Sequence, residues 1–542
     1  MSDAPTTIRN PILPGFNPDP SICRAGDDYY IATSTFEWYP GVQIHHSRDL
    51  VNWRLVRRPL ERAAQLDMRG NPDSCGVWAP CLSFADGKFW LVYTDVKRFD
   101  GNFKDAHNYI VTAPSIEASW SDPIYVNSSG FDPSLFHDDD GRKWFVNMVW
   151  DHRDPPPEPR PHAAFAGIVL QEWDADAANL VGAPKLIFKG SPLGLVEGPH
   201  LFKRDGWYYL TTAEGGTGYD HAVTMARSLV LEGPYELHPN RHLLTSKDAP
   251  EAPMQRAGHG QIVVTPSGET YHTHLCSRPL PALRRSPLGR ETAIQKCLWR
   301  EDGWLYLEHG GQVPSINVTP PAPVVRVETP SRIRTIFAPG PLPLDFQWLR
   351  TPYPERLFSL TARPGWLRLF GRESIGSWFE QALVARRQEN FCFCVETELD
   401  FQPETFQQAA GLTLFYNRYK FHFLAISAGE DGRRVVTIMS CLGDDPSGRL
   451  TFPTESVVLP DDGCVRLRAQ VDEAELRFAI WSQDGTWRQI GPVLDASIIS
   501  DEGGGGEHRS FTGAFVGMCA FDVSGMARPA DFRYFIYETH NS

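Results

Sequence analysis

The segment that decides the fold reads Phe16-Asn17-Pro18-Asp19-Pro20-Ser21-Ile22, and an apolar run at residues 29–32 follows it after a Gly-Asp-Asp turn. Proline fixes its own φ and pushes the residue before it into extended geometry. Asp19 is therefore predicted to have a stiff, non-helical backbone. A carboxylate that is aimed at a target needs such rigidity, whereas a surface loop does not.

The pattern recurs four times, each time as a short strand-like segment, a turn and an aromatic segment. The recurrences begin at Trp78-Ala79-Pro80, Asp132-Pro133-Ser134, Glu197-Gly198-Pro199 and His259-Gly260-Gln261, at intervals of between 53 and 66 residues. Each copy is predicted to form a short strand, a hairpin turn and an aromatic strand. Five such repeats predict a five-bladed β-propeller. A β-sandwich of hairpins is the alternative, but it does not predict similar chemistry at the same point of successive units.

The repeats also align acidic side chains. Equivalent positions hold Asp19, Ala79, Asp132, Gly198 and His259, and the positions one step earlier hold Pro18, Trp78, Phe131, Glu197 and Gly258. Equivalent positions on the innermost strands of a propeller surround one axis. Asp19, Asp132 and Glu197 are therefore expected to meet at one end of one channel.

A second domain follows a proline-rich linker at residues 314–330. Strand-like segments lie at residues 391–401, 435–439 and 465–471. No segment of comparable length shows the apolar spacing of an α-helix. We predict an all-β chain, with a catalytic propeller at residues 1–320 and a concanavalin-like β-sandwich at residues 331–542. Gly503-Gly504-Gly505-Gly506 lacks the Lys-Ser/Thr of a phosphate loop, so we expect a loop that ends at Phe511 and covers part of a pocket.

Composition excludes some classes of partner. The formal net charge of −14, from 52 basic and 66 acidic residues, argues against binding to nucleic acid or an anionic membrane. No segment approaches the roughly 20 apolar residues of a membrane span. The 10 cysteines are scattered and no signal peptide is visible, so we expect buried thiols in a reducing cytoplasm.

Three converging carboxylates with aromatic residues and an arginine fit glycoside hydrolysis. One carboxylic acid protonates the leaving oxygen, and a second carboxylate activates water or attacks directly. A third can orient the acid and raise its pKa by like-charge repulsion. The candidates for these roles are Asp19, Asp132 and Glu197.

Several motifs together resemble glycoside hydrolase family 43, most closely its two-domain β-xylosidases. They are residues 16–22, Phe36-Glu37-Trp38-Tyr39-Pro40-Gly41, residues 130–134, residues 197–200, residues 287–292, residues 511–518 and residues 530–535. The resemblance implies an inverting mechanism. Asp19 would be the general base, Glu197 the general acid, and Asp132 the group that orients the acid and tunes its pKa.

The resemblance also implies a substrate pocket. Arg290 would bond the sugar and keep Asp132 ionised. Phe36, Trp78 and Phe131 would form apolar walls that admit a pentose and crowd out a hydroxymethyl group. Thr217 and Phe511 would line the same pocket. His259 would lie in the central channel, where the family sometimes holds a divalent cation such as calcium; the chemistry itself would need no cofactor.

The leading hypothesis is an exo-acting β-D-xylosidase that releases xylose from the non-reducing end of short xylo-oligosaccharides during xylan degradation. The nearest rival is an α-L-arabinofuranosidase, or both activities in one pocket. A retaining fructosidase is less favoured because the Asn-Asp-Pro-Asn start of that group is absent. A non-catalytic sugar-binding propeller is the alternative from another class. The resemblance further implies a homo-oligomer, a dimer or a tetramer.

Overall fold

The computed structural model describes residues 7–160, 162–504 and 510–540. The predicted fold class is confirmed, because a five-bladed β-propeller is followed by a β-sandwich. Within the described residues, no helix combines the length and hydropathy that a membrane span requires. Two short 3-10 helices, Pro354–Arg356 and Ala496–Ile498, interrupt an otherwise all-β chain over the same residues.

The propeller blades are antiparallel sheets that follow one another along the chain. A short strand, β1 (Ile8–Arg9), precedes them. The first blade contains β2 (Ser21–Ala25), β3 (Asp28–Thr33), β5 (Gln43–Ser47) and β6 (Arg54–Arg57), and β4 (Trp38–Tyr39) lies outside it. The second contains β7 (Gly76–Ala85), β8 (Lys88–Arg98), β9 (Asp105–Ala113) and β10 (Ile124–Asn127). The third contains β11 (Ser134–His137), β12 (Lys143–Trp150), β13 (Phe165–Asp174) and β14 (Asn179–Phe188).

The last two blades repeat the arrangement. The fourth contains β15 (Glu197–Arg204), β16 (Trp207–Glu214), β17 (Ala222–Ser228) and β18 (Glu236–Thr245). The fifth contains β19 (Gln255–Gly258), β20 (Ile262–Val264), β21 (Thr270–Ser277), β22 (Glu291–Trp299) and β23 (Leu305–Leu307). After it, β24 (Asn317–Val318) pairs with β1, so the two ends of the propeller are hydrogen-bonded to each other.

The C-terminal domain consists of two facing sheets. One sheet has the order β27-β28-β40-β30-β36-β37-β38 with β25 on β40, and the other has the order β34-β33-β32-β31-β39-β29-β26-β4 with β35 on β33. Their strands are β25 (Arg332–Ile336), β26 (Phe346–Leu349), β27 (Phe358–Ser359), β28 (Leu367–Phe370), β29 (Ala382–Arg387), β30 (Cys392–Asp400), β31 (Gln408–Asn417), β32 (Lys420–Ala428), β33 (Arg434–Leu442), β34 (Leu450–Thr451), β35 (Val457–Val458), β36 (Val465–Asp472), β37 (Glu475–Trp481), β38 (Trp487–Asp495), β39 (Phe515–Asp522) and β40 (Pro529–Thr539).

One propeller strand belongs to the sandwich. β4 leaves the first blade and pairs with β26, with Tyr39 opposite Trp348 and Trp38 opposite Leu349. The ring of Trp38 also stacks on Phe515, with 3.7 Å between the ring centroids. Because this shared sheet edge is buried and hydrogen-bonded, the two domains are held in one arrangement, and the sandwich can contribute to a site on the propeller.

Candidate active site

The five equivalent positions of the repeat share an uncommon backbone conformation. Asp19, Ala79, Asp132, Gly198 and His259 have φ between +35° and +56°. The extended geometry expected for Asp19 is therefore wrong: the following proline disfavours the right-handed helical region, and the chain takes the left-handed region instead. Such a conformation costs a non-glycine residue about 1–3 kcal/mol and is often found at functional sites. Its recurrence shows that the five blades present equivalent turns.

A cavity of about 410 Å³ collects the predicted side chains. Its walls include all ten residues that the sequence singled out, namely Asp19, Phe36, Trp78, Phe131, Asp132, Glu197, Thr217, His259, Arg290 and Phe511. Lys104, Phe165, Leu195 and Tyr219 also line it. Residues from several blades and from the sandwich thus meet at one place, and the chemical roles assigned to them remain predictions.

Asp19 is held on both carboxylate oxygens. Its Oδ2 accepts a hydrogen bond of 2.6 Å from the hydroxyl of Ser34, and its Oδ1 lies 3.1 Å from Nη1 of Arg290. Ser34 in turn accepts a 2.7 Å bond from the backbone N–H of Ala79 on the next blade. With 4% of its surface exposed, Asp19 is buried and has one orientation in this structure.

Glu197 and Asp132 form a pair of buried carboxyl groups. The pKa of Glu197 is raised to about 8, first by burial and then by the charge of Asp19, against the lowering effects of Lys104 and Arg290. Burial likewise raises the pKa of Asp132 well above its ordinary value, and the charges of Glu197 and Asp19 add to the effect. Because burial disfavours the charged form of the carboxyl and Asp19 adds a negative charge nearby, Glu197 retains its proton at neutral pH.

Arg290 has a different direct partner from the one the sequence suggested. We expected its charge to keep Asp132 ionised. Its charge does lower the pKa of Asp132, but burial outweighs it. The guanidinium instead donates to Asp19 and, through Nη2, to the backbone carbonyl of Phe511 at 2.7 Å. It also lies over the ring of Phe36, 5.1 Å from the ring centroid.

Aromatic rings form a continuous wall of the cavity. Trp78 is central, with its ring centroid 5.7 Å from that of Phe36, 5.5 Å from that of Phe131 and 6.1 Å from that of Phe511. Phe165 packs edge-on against Phe131 at 6.1 Å. These rings present apolar faces, which suit the C–H faces of a sugar ring.

Lys104 is a site residue that the sequence analysis missed. Its Nζ donates a 3.1 Å bond to the carbonyl of Phe99 and lies 4.4 Å from the ring centroid of Trp150. Burial lowers the pKa of this ammonium to about 8, while the nearby charge of Glu197 opposes the effect. Lys104 lies outside the aligned turns of the repeat, so no feature of the repeat marked it.

The sandwich positions Phe511 through a buried chain of hydrogen bonds. The N–H of Phe511 donates to Ser74 of the propeller at 3.0 Å, and the next N–H, that of Thr512, donates to the hydroxyl of Tyr416 at 2.8 Å. Tyr416 donates to Asp501, which is paired with Arg256 of the propeller at 3.2 Å. We expected the glycine-rich loop to cover part of the pocket. Residues 505–509 of that loop lie outside the described residues.

His259 lies beside the carboxylates. Its Nδ1 is 3.6 Å from Oδ1 of Asp19, and burial lowers its pKa, so the ring is neutral. His200 is the nearest ring, at 6.4 Å between centroids. Among the described residues, no group of three or more His, Cys, Asp or Glu side chains is arranged to hold a metal ion.

Comparison with known families gives matches to both domains. The model of "Glycosyl hydrolases family 43" matches residues 8–305. The model of "Beta xylosidase C-terminal Concanavalin A-like domain" matches residues 334–538. The two matches fall on the propeller and on the sandwich.

Similar proteins match over nearly their full lengths. Xylosidase/arabinosidase 43B of Humicola insolens is 61% identical over 532 residues, which are 98% of this chain and 97% of that protein. A beta-xylosidase of Bacillus subtilis (strain 168) is 48% identical, covering 98% of this chain and 99% of that protein. The crystal structure of xylan beta-1,4-xylosidase from Bacillus halodurans C-125 superposes with a TM-score of 0.93 at 50% identity, covering 98% of this chain and 100% of that one.

Proposed function

The chain belongs to glycosyl hydrolase family 43, and from that membership we propose that it is an inverting, exo-acting β-D-xylosidase that releases xylose from the non-reducing end of short xylo-oligosaccharides. The observation that carries the proposal is the convergence of Asp19, Asp132 and Glu197, from three different blades, on one cavity. Phe511 of the sandwich closes one side of that cavity, which suits removal of end residues rather than cleavage within a chain.

Asp19 is proposed as the general base. In an inverting glycosidase, a carboxylate removes a proton from the water that attacks the anomeric carbon. The bonds from Ser34 and Arg290 fix the position of the Asp19 carboxylate. They leave the carboxylate facing the cavity, where a water molecule can bind between it and the sugar.

Glu197 is proposed as the general acid. An acid must hold its proton until the glycosidic oxygen departs, and a pKa of about 8 satisfies that requirement at neutral pH. Asp132 is proposed to orient Glu197 and to tune its pKa. Burial of the carboxyl is the main physical reason why Glu197 stays protonated, and the negative charge of Asp19 adds to it.

The walls support a pentose specificity. Phe36, Trp78 and Phe131 line the cavity with apolar rings, and residues 215–218 form another side of it. We propose that these rings leave no room for the hydroxymethyl group of a hexose. Thr217 and Lys104 provide a hydroxyl and an ammonium group for the sugar hydroxyls.

An α-L-arabinofuranosidase activity in the same pocket is the second candidate. It is supported by the printed name of the Humicola insolens relative, which joins xylosidase and arabinosidase. Arabinofuranose is also a pentose, and although it carries a hydroxymethyl group, that group stands on a five-membered ring, so the sugar is similar in overall size to xylopyranose. Relative rates on 4-nitrophenyl β-D-xylopyranoside and 4-nitrophenyl α-L-arabinofuranoside measure the balance.

The decisive experiment follows the anomeric configuration of the first product by proton NMR. Hydrolysis of a β-xyloside by the wild-type chain is expected to release α-xylose first. Asp19→Asn and Glu197→Gln are expected to lose most of that activity while their thermal unfolding stays cooperative. First release of β-xylose contradicts inversion, and full hydrolysis by both variants contradicts the assignment of the carboxylates.

A divalent cation beside His259 is a separate proposal, and the donor set gives it little support. Calcium prefers six to eight oxygen ligands, whereas the groups around His259 are mostly imidazole nitrogens, with Asp19 the nearest carboxylate. Direct coordination by the described residues therefore does not fit calcium. The mechanism above uses no metal.

We further propose a cytoplasmic location and a dimeric or tetrameric assembly. The state of the thiols supports the cytoplasmic location, because all 10 cysteines are free and burial raises the pKa of thiols such as Cys23, Cys297 and Cys519. Exposed apolar side chains on the sandwich, such as Leu450 and Phe452, support the dimeric or tetrameric assembly. Light scattering coupled to size-exclusion chromatography measures the assembly.

A further inference from the structure

A second cavity, which shares no wall residue with the first, lies between the first blade, the linker and the sandwich. Its volume is about 380 Å³. Its charged wall residues are four arginines and two carboxylates, namely Arg9, Arg58, Arg326, Arg387, Asp345 and Glu389. In a chain with a net charge of −14, this excess of arginine in one cavity is a local reversal of sign.

Two of the arginines are buried without a counter-charge in contact. Arg58 is 4% exposed and Arg387 is 5% exposed. Within the described ranges, neither guanidinium lies within 4 Å of a carboxylate; the two wall carboxylates, Asp345 and Glu389, are paired with Arg386 and act on Arg58 and Arg387 from a greater distance. Removing a charge from water without a partner of opposite sign is costly.

The hydrogen bonds of these two guanidiniums go to neutral oxygens. Arg58 donates to the carbonyl of Leu344 at 2.5 Å and to the side-chain oxygen of Gln43 at 2.6 Å. Arg387 donates to the side-chain oxygen of Gln347 at 2.6 Å. Such dipoles reduce the desolvation cost of a guanidinium but do not neutralise its charge.

Three polar nitrogens of the wall have no hydrogen-bond partner within the part of the chain that the structure describes. They are Nε of Arg58, Nη2 of Arg387 and Nδ1 of His45. The pKa of His45 is lowered to about 3 by burial and by the two arginines, so its ring is neutral. Burial lowers the pKa of Arg58 to about 9, and the charge of Asp345 offsets only part of that effect; guanidinium groups nevertheless stay protonated at neutral pH.

We propose that this cavity binds a small oxyanion, either an inorganic phosphate or a carboxylate, between Arg58 and Arg387. The planar fork of a guanidinium matches the oxygens of both groups and can bond them in pairs. The exposed Arg9 and Arg326 at the rim attract the anion and lower the cost of its entry. The inference does not depend on the proposed function.

An anion at this place would act on the segment that precedes Asp19. Arg387 donates through Nε to the carbonyl of Phe16 at 2.5 Å. Gln43, which accepts from Arg58, donates to the side chain of Asn17 at 2.7 Å. The bound anion therefore fixes both guanidiniums that hold residues 16 and 17, and it joins the propeller to the sandwich.

Isothermal titration calorimetry of the full chain with phosphate tests the proposal, at constant ionic strength set with sodium chloride. We expect one saturable site per chain and a rise in the thermal midpoint that sodium chloride alone does not produce. Parallel titration with glucuronate distinguishes the two sources of the oxyanion. Tighter binding of phosphate identifies an inorganic anion, and tighter binding of glucuronate identifies a sugar carboxylate.

Matched variants locate the bound anion. Arg58→Gln, and separately the double variant Arg9→Ala/Arg326→Ala, are expected to weaken binding at least tenfold. Arg54→Ala removes an exposed arginine from the same blade outside the cavity and is expected to bind as the wild type does. Lys104→Met is also expected to bind normally, which excludes the catalytic cavity.

The proposal is overturned by the absence of saturable binding of either anion. Unchanged binding in the rim double variant overturns it as well, and this variant decides the question if Arg58→Gln does not fold. Loss of binding in Lys104→Met places the anion in the catalytic cavity and equally contradicts the proposal.

Discussion

Arg290 of the propeller donates a 2.7 Å hydrogen bond from Nη2 to the backbone carbonyl of Phe511 in the sandwich. The same guanidinium holds Asp19 through Nη1. One side chain thus connects the proposed general base to the aromatic residue that the second domain supplies. The sandwich is therefore part of the active site, and changes in it should alter catalysis.

Phe511→Ala should weaken substrate binding. The ring contacts Trp78 and Phe99, and its loss opens one wall of the cavity. We expect KM for 4-nitrophenyl β-xyloside to rise roughly tenfold, which corresponds to about 1.4 kcal/mol, with a smaller change in kcat. Phe406→Ala, which removes an exposed ring elsewhere on the sandwich, is the control and should behave as the wild type. Equal kinetics for the two variants would show that Phe511 does not bind substrate.

Activity should fall on the alkaline side near pH 8. The raised pKa of Glu197, about 8, means that the proposed acid loses its proton in that range, and kcat/KM then declines as pH rises. Lys104 has a lowered pKa of about 8 and titrates in the same range. The pH profile of Lys104→Met separates them: if Glu197 causes the alkaline decline, the decline should persist and move to higher pH, because the charge of Lys104 lowers the pKa of Glu197. A flat profile in that variant would assign the decline to Lys104.

Tyr416→Phe should impair the site without touching the sugar. The variant loses the bond from Thr512 N–H and the bond to Asp501, so the segment that carries Phe511 is held less firmly. We expect KM to rise about 3–10-fold, because only part of the free energy of these two hydrogen bonds, about 0.7–1.4 kcal/mol, acts on the position of Phe511. Tyr537→Phe is the matched control, because this buried hydroxyl bonds the sandwich residues Glu389 and Asn390. A KM effect as large in Tyr537→Phe would indicate a general loss of stability instead.

The sequence repeat was sufficient to predict the propeller and the meeting of its carboxylates. Alignment of Asp19 with Asp132, and of Glu197 one step earlier, follows from turns that recur at each blade, and all three line one cavity. The left-handed φ of these turns was not predictable from the neighbouring prolines. Local preference favours extended geometry, and only the surrounding fold imposes the strained conformation.

Contacts between the domains could not be predicted. Arg256 of the propeller and Asp501 of the sandwich are separated by 245 positions and meet only because the two domains pack against each other. Likewise, Trp38 pairs with a strand of the other domain instead of its own blade. No local sequence pattern indicates either contact, because each one depends on the packing of segments that are distant in the chain. The same is true of Lys104, which reaches the cavity from outside the aligned turns.

Glu197→Gln should stabilise the fold. The folded-state pKa of Glu197, about 8, lies above the ordinary value of 4.5, so between these values the folded chain holds a proton that the unfolded chain has released. The contribution of this carboxyl to stability therefore falls as pH rises from about 4.5 to 8. The uncharged amide avoids that loss. We expect the thermal midpoint at pH 8 to be about 1–3 °C higher in the variant, with the difference vanishing near pH 4. A lower midpoint at pH 8 would contradict the raised pKa.

The two proposed catalytic groups should respond differently to the leaving group. Xylobiose has a poor leaving group that needs a proton, whereas 4-nitrophenolate departs nearly without one. Glu197→Gln should therefore lower kcat/KM on xylobiose by about 10²–10⁴-fold, the usual contribution of a general acid, and should lower it much less on the nitrophenyl glycoside. Asp19→Asn removes the base that activates water, and water attacks in both reactions, so its losses on the two substrates should be similar. If Glu197→Gln lowers kcat/KM by the same factor on both substrates, Glu197 is not the acid. If the loss of kcat/KM in Asp19→Asn depends more strongly on the leaving group than the loss in Glu197→Gln, the two roles are exchanged.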